Sequence, residues 1–274
     1  MSNHRRFVAV TGASSGIGVA YAERMAQRGY DLILVARRRN RLEEIAKRIQ
    51  TKAKRTVEIV TADLADAKDL LRVEALLAER EDIDFLINNA GLGALGPISK
   101  VTADALENLI KINIVALTRL THAVLPGFLR RNAGTIVNIA SMIAVMPTPS
   151  GAGYSGSKAY VLNFTRSLQM ELSKTNIVVQ AVLPGPVRTE FFEASGLTAA
   201  PFPDELFMSA DELADTALQA LDQRELICFP SLEDASRWTT FEEGRIALSR
   251  ALMQSGRPAT RYSENVQQQP SSAS

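Results

Sequence analysis

The chain has 274 residues, 46% of them hydrophobic, enough for one well-buried core in an α/β domain. Its formal net charge is +1, so no global field favours nucleic acid or an anionic membrane surface. Cys228 is its single cysteine, which rules out an intrachain disulfide and fits a reducing compartment.

The N-terminal MSNHRR runs through a short apolar stretch, Phe7–Thr11, straight into a glycine-rich segment rather than a cleavage site, so no secretory signal is expected. No uninterrupted apolar run approaches about 18 residues; the expectation is a cytoplasmic protein with no membrane span. After Phe7–Thr11, strand candidates follow at Leu32–Ala36, Val57–Thr61, Ile83–Asn88, Thr135–Ala140 and Ile177–Leu183, with a weaker one at Glu225–Phe229. They are nearly continuous in apolar character, as strands covered on both faces must be. Helical periods fill the gaps; the first places Ile17, Ala20, Tyr21 and Met25 on one face and ends at Gly29. This alternation predicts an α/β fold of Rossmann type, a doubly wound parallel sheet of about seven strands flanked by helices. It occupies a single domain, residues 1–254. Residues 255–274, rich in Gln, Ser and Pro, hold too few apolar groups to order themselves and read as a disordered tail.

Directly after the first strand candidate stands TGASSGIG, Thr11 to Gly18. Glycines at 12, 16 and 18 permit a tight turn, a close backbone approach to pyrophosphate and close helix–sheet contact. The helix that follows offers free N–H groups and the positive end of its dipole. A strand before and a helix after make this a dinucleotide site. The second strand candidate ends at Ala36 without the acidic residue that would bond the ribose hydroxyls of NAD. Arg37, Arg38, Arg39 and Arg41 follow instead, and Asn40 with Glu43 reads as a capping box opening the next helix. Guanidiniums beside the positive end of a helix are unfavourable unless an anion joins them. The 2′-phosphate of NADP is the anion the sequence suggests, with Arg37 first and Arg38 second to hold it; a solvated basic face paired with Glu43 and Glu44 is the alternative.

Tyr154 and Lys158, four apart in YSGSK at the start of a helical pattern, share one helix face. A phenol with a reference pKa near 10 is a poor base at neutral pH, and lowering it by ~3 units needs about 4 kcal/mol, which an adjacent ammonium can supply. Such a tyrosine can pass a proton to a carbonyl oxygen, or take it back. Ser141 ends the fifth strand candidate at the sheet edge where ligands gather, and its hydroxyl can bond the reacting oxygen. NNAG, Asn88 to Gly91, ends the fourth strand candidate at the same edge; Asn113 lies on the helix after it, and PGPVRTE, Pro184 to Glu190, follows the sixth.

In type, order and spacing, TGASSGIG, NNAG, Ser141, YSGSK and PGPVRTE resemble the short-chain dehydrogenase/reductase family, over roughly residues 7–254. The resemblance implies an NADP(H)-dependent oxidoreductase that moves hydride between nicotinamide and a small-molecule carbonyl or alcohol. Tyr154 would be the acid–base and a substrate contact. Lys158 would lower its pKa and bond the nicotinamide ribose, Ser141 would anchor the substrate oxygen, and Asn113 would support a proton relay. Cofactor contacts would come from Gly12, Ser14, Ser15, Gly16, Ile17 and Gly18, and from Arg37 and Arg38. Asp63 and Leu64 would meet the adenine, Asn89, Ala90 and Gly91 the adenine ribose. Ile139, Pro184, Gly185, Val187 and Thr189 would complete the nicotinamide site. Ser15 stands where many NADP-using relatives carry a basic residue, so the phosphate reading rests on Arg37 and Arg38. The resemblance also implies a homodimer or homotetramer. Two alternatives stand beside it. The extended sugar-nucleotide epimerases use TGxxGxxG and a larger substrate domain; a non-catalytic NADP(H) sensor would be free to lose residues that are all present here. The segment Phe191–Met208, with Phe191, Phe192, Leu197, Phe202, Phe207 and Met208, would enclose the substrate or simply dock on the core.

Overall fold

A computed structural model describes residues 6–196 and 202–262. Leu197 of the candidate lid and the end of the candidate tail lie outside the described residues. The chain divides into two compact units, Met1–Ser231 and Leu232–Ser274.

The first unit carries a seven-stranded parallel sheet: β1 (Phe7–Thr11), β2 (Asp31–Ala36), β3 (Val57–Thr61), β4 (Ile83–Asn88), β5 (Gly134–Ile139), β6 (Ile177–Val182) and β9 (Ile227–Cys228). Between β6 and β9 a two-stranded ladder pairs β7 (Val187–Arg188) with β8 (Met208–Ser209). The long helices are α1 (Gly16–Gln27), α2 (Arg39–Ala53), α3 (Ala67–Ala78), α4 (Ala103–Ile110), α5 (Leu117–Arg131) and α6 (Ala152–Glu171), followed by the short α7 (Phe191–Ala194) and by α8 (Ala210–Asp222). The sheet order is β3-β2-β1-β4-β5-β6-β9. The chain therefore starts in the middle, winds outward to β3, and returns to lay β4 on the free side of β1. That reversal opens a crevice at the carboxyl ends of β1 and β4.

Alternate residues of each strand serve opposite faces. Val8, Val10, Leu32 and Leu34 join α1, α2 and α8 in one core, whereas Phe7, Ala9, Ile33 and Val35 join α3, α5 and α6 in the other. Both faces are dry, which is why the strands lack polar alternation. The expected strands agree with the observed ones to within a residue or two. The Glu225–Phe229 candidate shrinks to Ile227–Cys228, because only Ala181 and Val182 of β6 pair with it.

Three local features depart from the sequence reading. The Asn40–Glu43 capping box does not form: α2 starts at Arg39 with Arg38 as an uncapped N-cap, and Glu43 pairs with Arg39 at 2.7 Å. An arginine one turn ahead offers this carboxylate a full charge where Asn40 offers only a backbone N–H. Second, residues Lys111–Ala116 between α4 and α5 form a π-helical turn. Third, α4, this turn and α5 make one helix, Ala103–Arg131, with the length and apolar composition to cross a bilayer. Half of its apolar window is buried within the fold, and Leu109, Leu120, Val124 and Phe128 are core residues.

The second unit contains α9 (Ser236–Leu252), which has no buried residue, and a 3-10 turn at Thr260–Tyr262. Residues 255–262 are exposed apart from a half-buried Ala259. Deleting residues 255–274 should therefore move the melting temperature by no more than about 2 °C, since almost no apolar burial is lost among the described residues. A fall of many degrees in a thermal melt would show that the segment packs on another surface.

Candidate active site

The glycine loop is shaped by positions that only glycine fills without strain. Gly12 and Gly16 have φ of 64° and 52°. A Cβ on Gly18 would come within 2.6 Å of Asn89 Nδ2, and one on Gly16 within 2.7 Å of Thr189 Cγ2. Helix α1 begins at Gly16 with no side-chain cap from Ser15 and no acidic residue in its first turn. Its first N–H groups and the positive end of its dipole are thus left for an anion.

Thr11 and Asn89 lock this loop to the end of β4. Thr11 Oγ1 accepts from the backbone N–H groups of Asn89 and Ala90, both at 3.0 Å. Asn89 Nδ2 donates to the carbonyls of Thr11 at 2.9 Å and Gly12 at 3.2 Å. The amide nitrogen of Asn89 is therefore committed to the scaffold, and Asn89, Ala90 and Gly91 together line the crevice.

At the end of β2, Arg38 donates to Ser14 Oγ at 3.2 Å and pairs with Glu190 at 2.7 Å; Arg41 reaches the other oxygen of Glu190 at 3.6 Å. Arg37 is 62% exposed and lies 3.9 Å from Asp63. The anions that offset these guanidiniums are thus partly supplied by the protein: Glu43 pairs with Arg39, as the alternative reading had it, and Glu190 with Arg38 and Arg41. Those guanidiniums hold the Glu190 carboxyl below its usual range. Glu190 closes the PGPVRTE motif, but its pairing with Arg38, 152 residues away, leaves no signal in the sequence.

Ser141, Tyr154 and Lys158 meet at the ends of β5 and α6. Lys158 is 5% exposed, and its ammonium donates to the Ile139 carbonyl at 2.7 Å. Its Nζ lies 5.7 Å from the centroid of the Tyr154 ring. Burial pushes Lys158 down to about 8, leaving it mostly charged at neutral pH. Burial also pushes the Tyr154 phenol up to about 12, against the opposing pull of a hydrogen bond with Ser141. The lowered phenol pKa expected from the Tyr–Lys spacing is therefore not what the protein by itself produces. Desolvation of a phenolate dominates at Tyr154, while the Lys158 ammonium is bonded to the Ile139 carbonyl.

Asn113, 1% exposed, sits in the π-helical turn behind this group. Its Oδ1 accepts from the Leu92 N–H at 2.8 Å; its Nδ2 donates to the Leu92 carbonyl and to Ser157 Oγ, each at 2.9 Å. One amide thereby joins the segment after β4 to α6.

The candidate lid runs from β7 to β8, whose pairing closes its base, and an Arg188–Asp204 bridge at 2.6 Å crosses it. Phe191 packs 5.3 Å from the Tyr154 ring. Phe192, Phe202 and Phe207 form a mutual edge-to-face cluster. The aromatics divide the work: Phe191, Phe192 and Phe202 line the crevice, while Phe207 backs Phe192 and Phe202. Met208 is in β8, paired with Val187.

The crevice, about 790 Å³, is lined by every sequence-predicted site residue except Gly18, which lies beneath the loop, and Asn113, which lies behind the Tyr–Lys helix. Ser14, Ser15, Ile17, Asp63, Leu64, Pro184, Gly185 and Val187 are among the lining residues. Sequence reasoning missed Leu92, Met142, Ile143 and Met146, whose apolar character carries no spacing signal.

The short chain dehydrogenase family matches residues 6–199. The chain belongs to this family. A solved short-chain dehydrogenase from Sphingobium yanoikuyae in complex with NADPH is 43% identical, with a TM-score of 0.90 over 94% of this chain and 100% of that one. The bulky-bulky ketone specific alcohol dehydrogenase from Comamonas testosteroni is 37% identical, with a TM-score of 0.86 over 95% of this chain and 99% of that one. Among curated relatives, the inactive hydroxysteroid dehydrogenase-like protein 1 of Homo sapiens is 36% identical over 202 residues. That match covers 73% of this chain and 59% of the relative, so the chain spans less than two thirds of its length.

For this short-chain dehydrogenase, Asn113→Ala removes three hydrogen bonds and strands the Leu92 backbone. Urea denaturation should show a loss of about 1–3 kcal/mol. An unchanged midpoint would mean that the Leu92 backbone finds other partners at no cost.

Proposed function

We propose that the chain is an NADP(H)-dependent oxidoreductase acting on a carbonyl/alcohol pair, with Tyr154 as the acid–base. The observation that carries this reading is the convergence of Ser141, Tyr154 and Lys158 on the same crevice as an uncapped, glycine-lined helix N-terminus. The cradle at Gly12, Gly16 and Gly18 and the free N–H groups of α1 fit a pyrophosphate. Arg37 and Arg38 would hold a 2′-phosphate, Asp63 and Leu64 the adenine, and Asn89, Ala90 and Gly91 its ribose. Lys158 would bond the second ribose, with Ile139 and the Pro184–Thr189 segment beside the nicotinamide. The complex of the Sphingobium relative with NADPH supports the choice of cofactor. When bound, the nicotinamide supplies or accepts the hydride at the substrate carbon.

The remaining chemistry falls to this chain. Ser141 donates to the carbonyl oxygen and fixes it beside the phenol. In the reductive direction Tyr154, held neutral by burial, gives its proton to that oxygen as negative charge develops there. The Lys158 ammonium then stabilises the phenolate left behind. Asn113 holds the Leu92 backbone and Ser157 in place around this exchange. As the resemblance implies, we also propose a cytoplasmic homodimer or homotetramer.

A second reading, a non-catalytic NADP(H) binder, draws support from the relative named as inactive. Tyr154→Phe separates the two. Turnover of ketones with NADPH should fall by at least about 10²-fold, the usual weight of a positioned proton donor, while NADPH affinity changes little. The pH profile carries the sign. Lys158 is charged below about 8 and neutral above it, whereas Tyr154 keeps its proton to about 12. Reduction should therefore be level at neutral pH and decline above about 8, and Lys158→Arg should move that decline upward. No turnover in the wild-type protein with any of a broad ketone panel would favour the binder.

Cofactor choice is tested at the β2 edge. A charge-assisted hydrogen bond to phosphate is worth about 1.5–3 kcal/mol, or roughly 10- to 150-fold in affinity. Replacing both Arg37 and Arg38 by alanine should cut the NADPH:NADH ratio of kcat/KM within that range. Glu190→Gln, which removes the competing carboxylate from Arg38, should raise the ratio. A wild-type preference for NADH would end the phosphate reading.

A further inference from the structure

The crevice has two chemically different halves. Five of its lining side chains are charged: Arg37, Arg38, Asp63, Lys158 and Glu190. All five are engaged, Arg37 beside Asp63 at 3.9 Å, Arg38 on Glu190 at 2.7 Å, and Lys158 on the Ile139 carbonyl at 2.7 Å. Arg37 and Arg38 follow β2, three strand positions from the β5 end that carries Ser141, a separation of about 14 Å.

Around Ser141 and Tyr154 the walls are built otherwise. The segment after β4 contributes Leu92, the segment after β5 contributes Met142, Ile143 and Met146, and the lid contributes Phe191 and Phe202. The first two walls are joined where the Gly96 N–H donates to the Ser150 carbonyl at 2.8 Å. The lid is seated against the first at Gly93, where a Cβ would meet Phe191 Cζ and Ser195 Cβ at 2.9 Å. Apart from Lys158 beside Tyr154 and Glu190 at the stem of the lid, the described residues of these walls that line the crevice carry no charge.

We infer that the substrate is an uncharged ketone with extended apolar groups, selected by buried area and dispersion rather than by an ionic handle, and that carboxylated or phosphorylated ketones are rejected. This rests on the carbonyl-reductase reading above. A carboxylate placed against these walls loses its hydration and finds no arginine there, because Arg37 and Arg38 lie at the other end of the crevice and Lys158 is turned onto the Ile139 carbonyl. An apolar chain gains instead: each buried methylene is worth three- to fourfold, roughly, in kcat/KM.

The test uses NADPH oxidation with 1-phenylalkanones of increasing chain length, and with one member carrying a ring carboxylate or its neutral methyl ester. The expected result is a rise of two- to fourfold, roughly, per added methylene over the first few members. The ester should exceed the carboxylate by at least about 100-fold. Met146→Lys puts an ammonium into the wall at a residue that is 47% exposed, so folding tolerates it. In that variant the carboxylate:ester ratio should rise by at least about tenfold. A carboxylate turned over as well as its ester, with the rate still lost in Tyr154→Phe, overturns the inference and leaves the reaction standing. Calorimetric titration of both compounds into the protein–NADPH complex separates the opposite case. Tight ester binding without turnover supports the substrate class while ending the hydride-transfer reading; equal binding of ester and carboxylate ends the substrate class.

Discussion

Thr11 and Asn89 stand at the point where the sheet reverses its winding, and the hydrogen bonds between them hold the molecule's functional edge together. The Thr11 hydroxyl accepts from two N–H groups at the end of β4, and the Asn89 amide answers with two carbonyls at the end of β1. Adjacent parallel strands at a reversal splay their connections apart, and the polar groups at the strand ends lose their ladder partners. Here those groups satisfy one another across the gap. The glycine loop is thereby fixed relative to Ala90 and Gly91, and the crevice is shaped before any ligand enters.

The same economy of polar groups governs the far side of the crevice. Asn113, buried in a π-helical turn, spends its amide on the Leu92 backbone and Ser157, while Lys158 spends a proton on Ile139. A π turn shifts the side chains after it around the helix axis, and such turns recur at functional sites. These bonds cost little because every buried partner is satisfied, and they fix the side-chain frame in which Tyr154 and Ser141 are held. Desolvation then decides the charge state. Burial pushes the Tyr154 phenol up to about 12 and the Lys158 ammonium down to about 8.

The lid adds an electrostatic tie and an aromatic one. Glu190, at its stem, pairs with the guanidiniums of both Arg38 and Arg41, and Phe191, the next residue, packs on Tyr154. A single short segment thus touches both the basic edge of the crevice and its catalytic end. Exposed ion pairs of this kind are worth about 1 kcal/mol or less, so a stronger anion can take their place without large cost to the fold.

The sequence by itself determined the parallel sheet, because strands dry on both faces must be apolar throughout. It determined the glycine cradle, because only glycine tolerates φ near 60° under a crowding neighbour. It also brought Tyr154 and Lys158 onto one face, because four residues make about one helical turn. Only the tertiary structure decided which charges meet, since Arg38 and Glu190 are brought together by the crossing of connections and not by spacing along the chain. It replaced the Asn40 cap with an Arg39–Glu43 pair, because a full charge one turn away competes better for the carboxylate than a backbone N–H. It set the phenol of Tyr154 above rather than below its ordinary pKa, because burial is a property of everything packed around a group, and no local motif encodes it.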